Sequence, residues 1–170
     1  MWTVISGILG ILGFIISLIN LIHYLMSNRI FLEIKIIEYA IREYNGGNKR
    51  IVIHYQMNNR SHLPITITDM QIIFDDKKFV EDFNTHEILS YRHTFKDIKE
   101  YIPTYNEHLP INLPELSSHA GYLVFVVPED IAEEVCKDLI FQIRTNRHKE
   151  VQKKFQLNEL VTIRRIPPKQ

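Results

Sequence analysis

The sequence predicts a mostly β protein: one N-terminal transmembrane helix, then an antiparallel β-sandwich with one short helix. Three observations carry this. The first 28 residues hold no charged side chain, although the chain has 20 basic and 20 acidic residues. From Arg29 onward apolar and polar residues alternate with period two, the mark of half-buried strands. Short apolar runs are then separated by Gly, Pro, Asn and Asp clusters, which suits a sandwich, with a small barrel as the alternative.

Trp2 to Met26 reads as the membrane span. At about 1.5 Å per residue it reaches roughly 37 Å, enough to cross a hydrocarbon core of about 30 Å with some tilt. Trp2 and Tyr24 stand near its two ends, where amphipathic rings favour the headgroups. A cleaved signal peptide fits less well, because no Lys or Arg precedes the run and no small-residue cleavage pattern follows it. Arg29, Lys35, Arg42, Lys49 and Arg50 follow the helix while no cation precedes it, which places the C-terminal part in the cytoplasm and the protein in the cell membrane as a single-pass chain. The expected division is an anchor at 1–28, a β-sandwich domain at 29–163 and a flexible tail at 164–170.

Within the domain, Leu32-Glu33-Ile34-Lys35-Ile36 alternates apolar and charged residues. Asn45-Gly46-Gly47-Asn48 is a turn signal. Ile51, Ile53, Tyr55 and Met57 then share one strand face, with Val52, His54 and Gln56 on the other. A third strand runs from Ile65 to Phe74, with Asp69 at a bulge or on an outer face. Asp75-Asp76-Lys77-Lys78 turns again. Tyr122–Val127 is apolar on both faces and is expected at the centre of a sheet. Pro128–Val135 reads as the short helix, with proline and acids in its first turn. Leu139, Phe141 and Ile143 mark another strand, joined through Asn146-Arg147-His148-Lys149 to a partner at Val151–Leu157.

Asn59-x-Ser61-x-x-Pro64-Ile65-Thr66-Ile67, Leu109-Pro110-Ile111-Asn112-Leu113-Pro114 and Gly121-Tyr122-Leu123-Val124-Phe125 together resemble a group of small uncharacterised bacterial proteins. In that group an N-terminal membrane helix precedes an immunoglobulin-like sandwich. The resemblance spans nearly the whole chain and rests on strand and turn signatures. It implies an immunoglobulin-like domain and no site.

Composition argues against several functions. Zero net charge without a long basic run offers no footprint for nucleic acid. One cysteine, Cys136, excludes an intrachain disulfide. The eight histidines show no metal-ligand spacing, although His86, His93 and His108 share a segment. Ser117-Ser118-His119 lacks the surroundings of a triad, and Cys136 lies among Glu133, Glu134 and Asp138, which disfavour a thiolate. Asp75-Asp76, Glu81-Asp82 and Glu129-Asp130 are types of pair that serve as acid/base groups or calcium ligands, but turn and helix-start chemistry explain the first and last, and no EF-hand spacing is present. Asn59-Arg60-Ser61 matches a glycosylation sequon but faces the cytoplasm in this topology. The chain is therefore expected to be no enzyme and to need no cofactor or metal.

Two surfaces remain as candidates for association. Phe79, Phe83, Tyr91, Phe95, Tyr101 and Tyr105 crowd into 77–110, where regular alternation fades; they form a partner surface or, the favoured reading, complete the core. In the helix, Thr3, Ser6, Gly10, Gly13, Ser17, Asn20, Tyr24 and Ser27 form a heptad-like seam of mostly small or polar residues, suited to self-association in lipid. The expected function is a membrane-anchored interaction module with an unidentified protein partner, able to homo-oligomerise through its helix. The alternative is a small pore-forming or membrane-perturbing effector with a ligand-sensing β domain.

Overall fold

The computed structural model describes the backbone of residues 2–27, 29–44, 46–95, 98–157 and 160–162. Side chains are described throughout these except at 2–6, 8–9, 25–27, 90–95, 98–102 and 161–162. The expected tail at 164–170 lies outside the described residues.

Helix α1 (Trp2–Ser27) comes first. The strands are β1 (Leu32–Glu43), β2 (Asn48–Asn59), β3 (Ile65–Phe74), β4 (Lys77–Val80), β5 (Glu87–Phe95) and β6 (Ile98–Tyr105). They continue with β7 (Ile111–Leu113), β8 (Ser118–Pro128), β9 (Leu139–Thr145), β10 (Glu150–Phe155) and β11 (Val161–Thr162). Between β8 and β9 a 3-10 turn at Glu129–Ile131 leads into helix α2 (Ala132–Lys137). The chain is mostly β, and its sheets are antiparallel apart from the parallel pair β1–β11.

Two sheets share one core. The first has the order β11-β1-β2-β8; the second runs β10-β9-β3-β4, with β7 on the remaining part of β3. From the first, Ile34, Ile51, Ile53, Tyr55, Met57, Leu123 and Phe125 point inward. From the second, Ile65, Ile67, Met70, Ile72, Phe141 and Ile143 meet them. All are at most 2% exposed. Phe125 and Phe141 join the layers edge to face, with centroids 6.0 Å apart. Period-two alternation is what sends these residues to one side of each strand.

Several local expectations hold. Gly46 and Gly47 both adopt φ of 73° in the β1–β2 connection, a conformation glycine reaches without a Cβ clash. Register slips between Ile67 and Asp69 in the β3–β9 pairing, so the bulge falls beside Asp69. Asp75 and Asp76 both take positive φ in the β3–β4 turn, which short polar side chains tolerate.

Other expectations need correction. Segment 77–110 is not irregular: it contains β4 and the separate β5–β6 hairpin. Strand β8 is not central but ends the order of its sheet. It is apolar on both faces because a second small core covers its back: Val124 packs with Ala40, Val52 and Ile88, and with half-buried Leu89. Val52 is therefore buried although it opposes the main core face of β2.

Helix α1 touches neither core among the described residues. Its described side chains, Gly7 and Gly10–Tyr24, are all exposed, the large apolar ones between 44% at Leu18 and 68% at Phe14. Among the described residues no helix is long and apolar enough to cross a membrane. The continuous part of α1 with described side chains is residues 10–24, roughly 22 Å at 1.5 Å per residue.

Candidate functional site: an acid and histidine cluster on the edge of β8

The outer edge of β8 is covered by two irregular segments rather than by a strand. Asp82 N–H donates to Val124 O at 2.7 Å, and Glu107 N–H donates to Tyr122 O at 2.8 Å. Glu81 bridges Phe125. Asn106 ties the segments together: its Nδ2 donates to Asn84 O (3.0 Å), its Oδ1 accepts from His86 N–H (2.6 Å), and its own N–H donates to His86 O (3.1 Å). The backbone groups of an edge strand need such partners once buried. Meeting that need brings Glu81, Asp82, His86, Glu107 and His108 onto one side of the domain.

Around Glu107 the contacts are tight. The Tyr55 hydroxyl donates to Glu107 Oε2, and His119 Nε2 lies 2.8 Å from the same oxygen. Gly121 lies directly beneath, where a Cβ would collide with the carboxylate. Burial, then the hydrogen bond and charge of Glu107 with Glu81 further off, hold the Tyr55 phenol far above its ordinary pKa.

Glu81 is the unusual residue. It is 1% exposed, and neither carboxylate oxygen meets a donor in good hydrogen-bond geometry among the described residues, the Leu109 amide alone lowering its pKa from the backbone side. His108 Nδ1 stands 3.7 Å from Oε1, beyond hydrogen-bonding reach, while His108 Nε2 is 3.1 Å from Thr85 Oγ1. Burial first, then the charges of Asp82 and Glu107, push the Glu81 pKa up to about 7.

Asp82 behaves oppositely. Burial raises its pKa, but the Asn84 amide, the His86 ring and the Asn84 side chain outweigh it and leave the group lowered. His86 Nε2 is 2.6 Å from Asp82 Oδ2, and its Nδ1 is 2.8 Å from Arg50 Nη1. A guanidinium can only donate, so Nδ1 accepts and Nε2–H donates to Asp82. Arg50 also lies 4.9 Å over the Tyr44 ring.

This arrangement fixes geometry and favours the protonated form of Glu81. Ser117 Oγ donates to Pro114 O, and Ser118 Oγ to Asn58 Oδ1, while His119 turns to Glu107. Cys136 is buried, and burial followed by the charge of Glu133 pushes its thiol up to about 12, which opposes thiolate formation. Among the described residues no three His, Cys, Asp or Glu side chains are placed to hold a metal ion.

The sequence-derived association residues are scattered. Phe79 is half-buried against the main core, whereas Phe83 (71%) and Tyr105 (49%) are exposed. The side chains of Tyr91, Phe95, Tyr101 and His93 lie outside the described residues. Gly10, Gly13, Ser17 and Asn20 are exposed on α1, and the side chain of Ser6 lies outside the described set. Glu81, Tyr55, Glu107 and Asn106 were missed as a group. The one available signal was an acidic pair, Glu81-Asp82, that no turn or helix start accounted for.

No family model matches this sequence, and no curated protein does. Solved structures similar to it include a protein from Archaeoglobus fulgidus, with TM-score 0.36 and 10% identity over 75% of this chain and 96% of that one. A Northeast Structural Genomics Consortium target has TM-score 0.34 and 10% identity over 85% of this chain and 96% of its own. The Iho670 flagellar-like filament protein has TM-score 0.34 and 10% identity over 92% and 99%.

Proposed function

We propose that this chain is a single-pass membrane protein whose β domain, an immunoglobulin-like sandwich, is a non-enzymatic interaction module held at the bilayer surface. One observation carries the reading. The 26 residues of α1 include no acidic residue in the first turn and no basic residue in the last, and their described apolar side chains are exposed rather than packed on the domain. In water such a helix is an uncovered apolar surface; in hydrocarbon it is solvated, and its 26 residues rise about 39 Å. The cations after the helix favour a cytoplasmic domain.

The test is extraction of native membranes with alkaline carbonate, followed by protease added to intact cells. Retention in the pellet with a protected domain supports the reading. Release of intact chain by alkali removes the anchor, and digestion from outside reverses the orientation. A second reading, the self-associating membrane effector, is favoured by the exposure of Gly10, Gly13, Ser17 and Asn20 along one seam of α1. It requires ion leakage on expression.

A further inference from the structure

At the end of the domain where α1 joins it, three loops converge. Phe31 N–H donates to Ser61 Oγ at 2.8 Å, and Leu116 N–H donates to Ser61 O at 3.1 Å. From the β9–β10 loop, Lys149 Nζ donates to Ile30 O at 2.5 Å. Together they leave an open cleft of about 500 Å³ lined by Arg29, Ile30, Phe31, Arg147, His148 and Lys149.

The lining holds three permanent cations and a histidine, and no carboxylate. The acids closest in sequence to the lining are engaged elsewhere: Glu33 with Arg60 at 2.6 Å and Lys35 at 3.6 Å, and Glu150 with Arg144 at 3.4 Å. In the same lining Phe31 is 55% exposed, and Leu116, hydrogen-bonded to Ser61, is 63% exposed. Basic side chains interleaved with exposed apolar ones fit the boundary between headgroups and acyl chains. Arg29 lies two residues beyond the last residue of α1, so chain connectivity keeps the cleft at headgroup height wherever that helix leaves hydrocarbon.

We infer that this cleft is a docking site for the anionic headgroups of the bilayer that α1 enters, seating the domain on the membrane in one orientation. The inference rests on the membrane-anchor reading. Its chemistry is that of a lipid phosphate met by two guanidinium groups, Arg29 and Arg147, with Lys149 bracing the backbone between them.

The experiment reconstitutes the full chain in vesicles of phosphatidylcholine and phosphatidylglycerol. One of the two lipids carries a headgroup diazirine in each run, and labelled peptides are mapped by mass spectrometry. The phosphatidylglycerol probe should label the peptides containing residues 29–31 and 146–149 several-fold more than the phosphatidylcholine probe, and high salt should erase the difference. Each cation near an anionic surface is worth about a fivefold preference. Arg147→Gln, which leaves the residues flanking α1 intact, should therefore lose most of this several-fold difference, and Arg29→Gln with Arg147→Gln should erase it. Equal labelling by both probes, or labelling unchanged in the double variant, overturns the docking inference alone when the chain still resists alkaline release from the vesicles. Alkaline release overturns the anchor reading and the docking with it.

Discussion

Helix α1 and strand β2 are both rich in branched apolar residues, yet their surroundings are opposite. Ile51 and Ile53 in β2 are fully buried, whereas Ile11, Ile16 and Ile19 in α1 are 59–63% exposed. The difference lies in what each element meets. Strand β2 alternates, so one face finds a protein partner across the sandwich and the backbone finds partners in β1 and β8. Helix α1 is uncharged and largely apolar, satisfies its own backbone, and contributes to neither core among the described residues. Apolar surface buried by the fold stabilises the fold; apolar surface left over by it selects a solvent.

That contrast can be broken from either side. The largest effect is expected from Ile15→Arg with Leu18→Arg. Each arginine near the centre of a span costs about 3 kcal/mol of insertion. The double variant should leave the membrane fraction while the unfolding midpoint of its β domain stays unchanged. A matching loss of domain stability would show that α1 packs on the domain after all.

Next is Phe125→Ala, at the edge-to-face contact with Phe141. Truncating a fully buried phenylalanine costs about 3–5 kcal/mol, read as a lowered urea midpoint, with membrane association unaffected. Glu81→Gln should act through pH. The native carboxyl, raised from 4.5 to about 7, holds a proton that the unfolded chain releases earlier. Its contribution is complete below about pH 4.5 and is lost as pH rises through about 7, a fall of about 3 kcal/mol. The glutamine variant should lack that part of the slope, so its stability relative to the parent should rise between about pH 4.5 and pH 7 in urea titrations and level off above that. An identical slope in both proteins would place the ionising group elsewhere.

The smallest effect concerns the seam. Gly10→Ile and Gly13→Ile with Asn20→Leu should abolish self-association of the isolated helix in a membrane two-hybrid assay, a loss of about 0.6–2 kcal/mol for the interhelical hydrogen bond. An unchanged signal, or none in the parent, discards the seam.

What the sequence made legible was whatever depends on near neighbours. Alternation at Ile51–Met57, the paired glycines at 46–47 and the aspartates at 75–76 each specify local conformation without reference to the rest of the chain. Strand β8 was misplaced because an apolar run cannot say whether a strand or a hairpin covers its second face; here Ile88 and Leu89 of β5 do so. The acid and histidine cluster was hidden for the same reason. Tyr55 and Glu107, or Arg50 and His86, are distant along the chain and meet only because the edge of β8 needs backbone partners. The cleft at the junction was equally non-local, since Arg147 and Lys149 had been read as ordinary hairpin residues.

The joint between α1 and β1 has a mechanical consequence. Only four residues separate Ser27 from Leu32, and even fully extended they would reach roughly 14 Å. Lys149 and Ser61 hold two of them from the domain side. The tether has almost no slack. The twelve residues of β1 rise about 40 Å. Under the proposed membrane anchor, a partner must therefore come within roughly 55 Å of the bilayer to touch the β1–β2 turn. A tether this short would work as a bracket rather than a fishing line, with a high effective concentration for ligands on the same membrane and a negligible one for anything farther away.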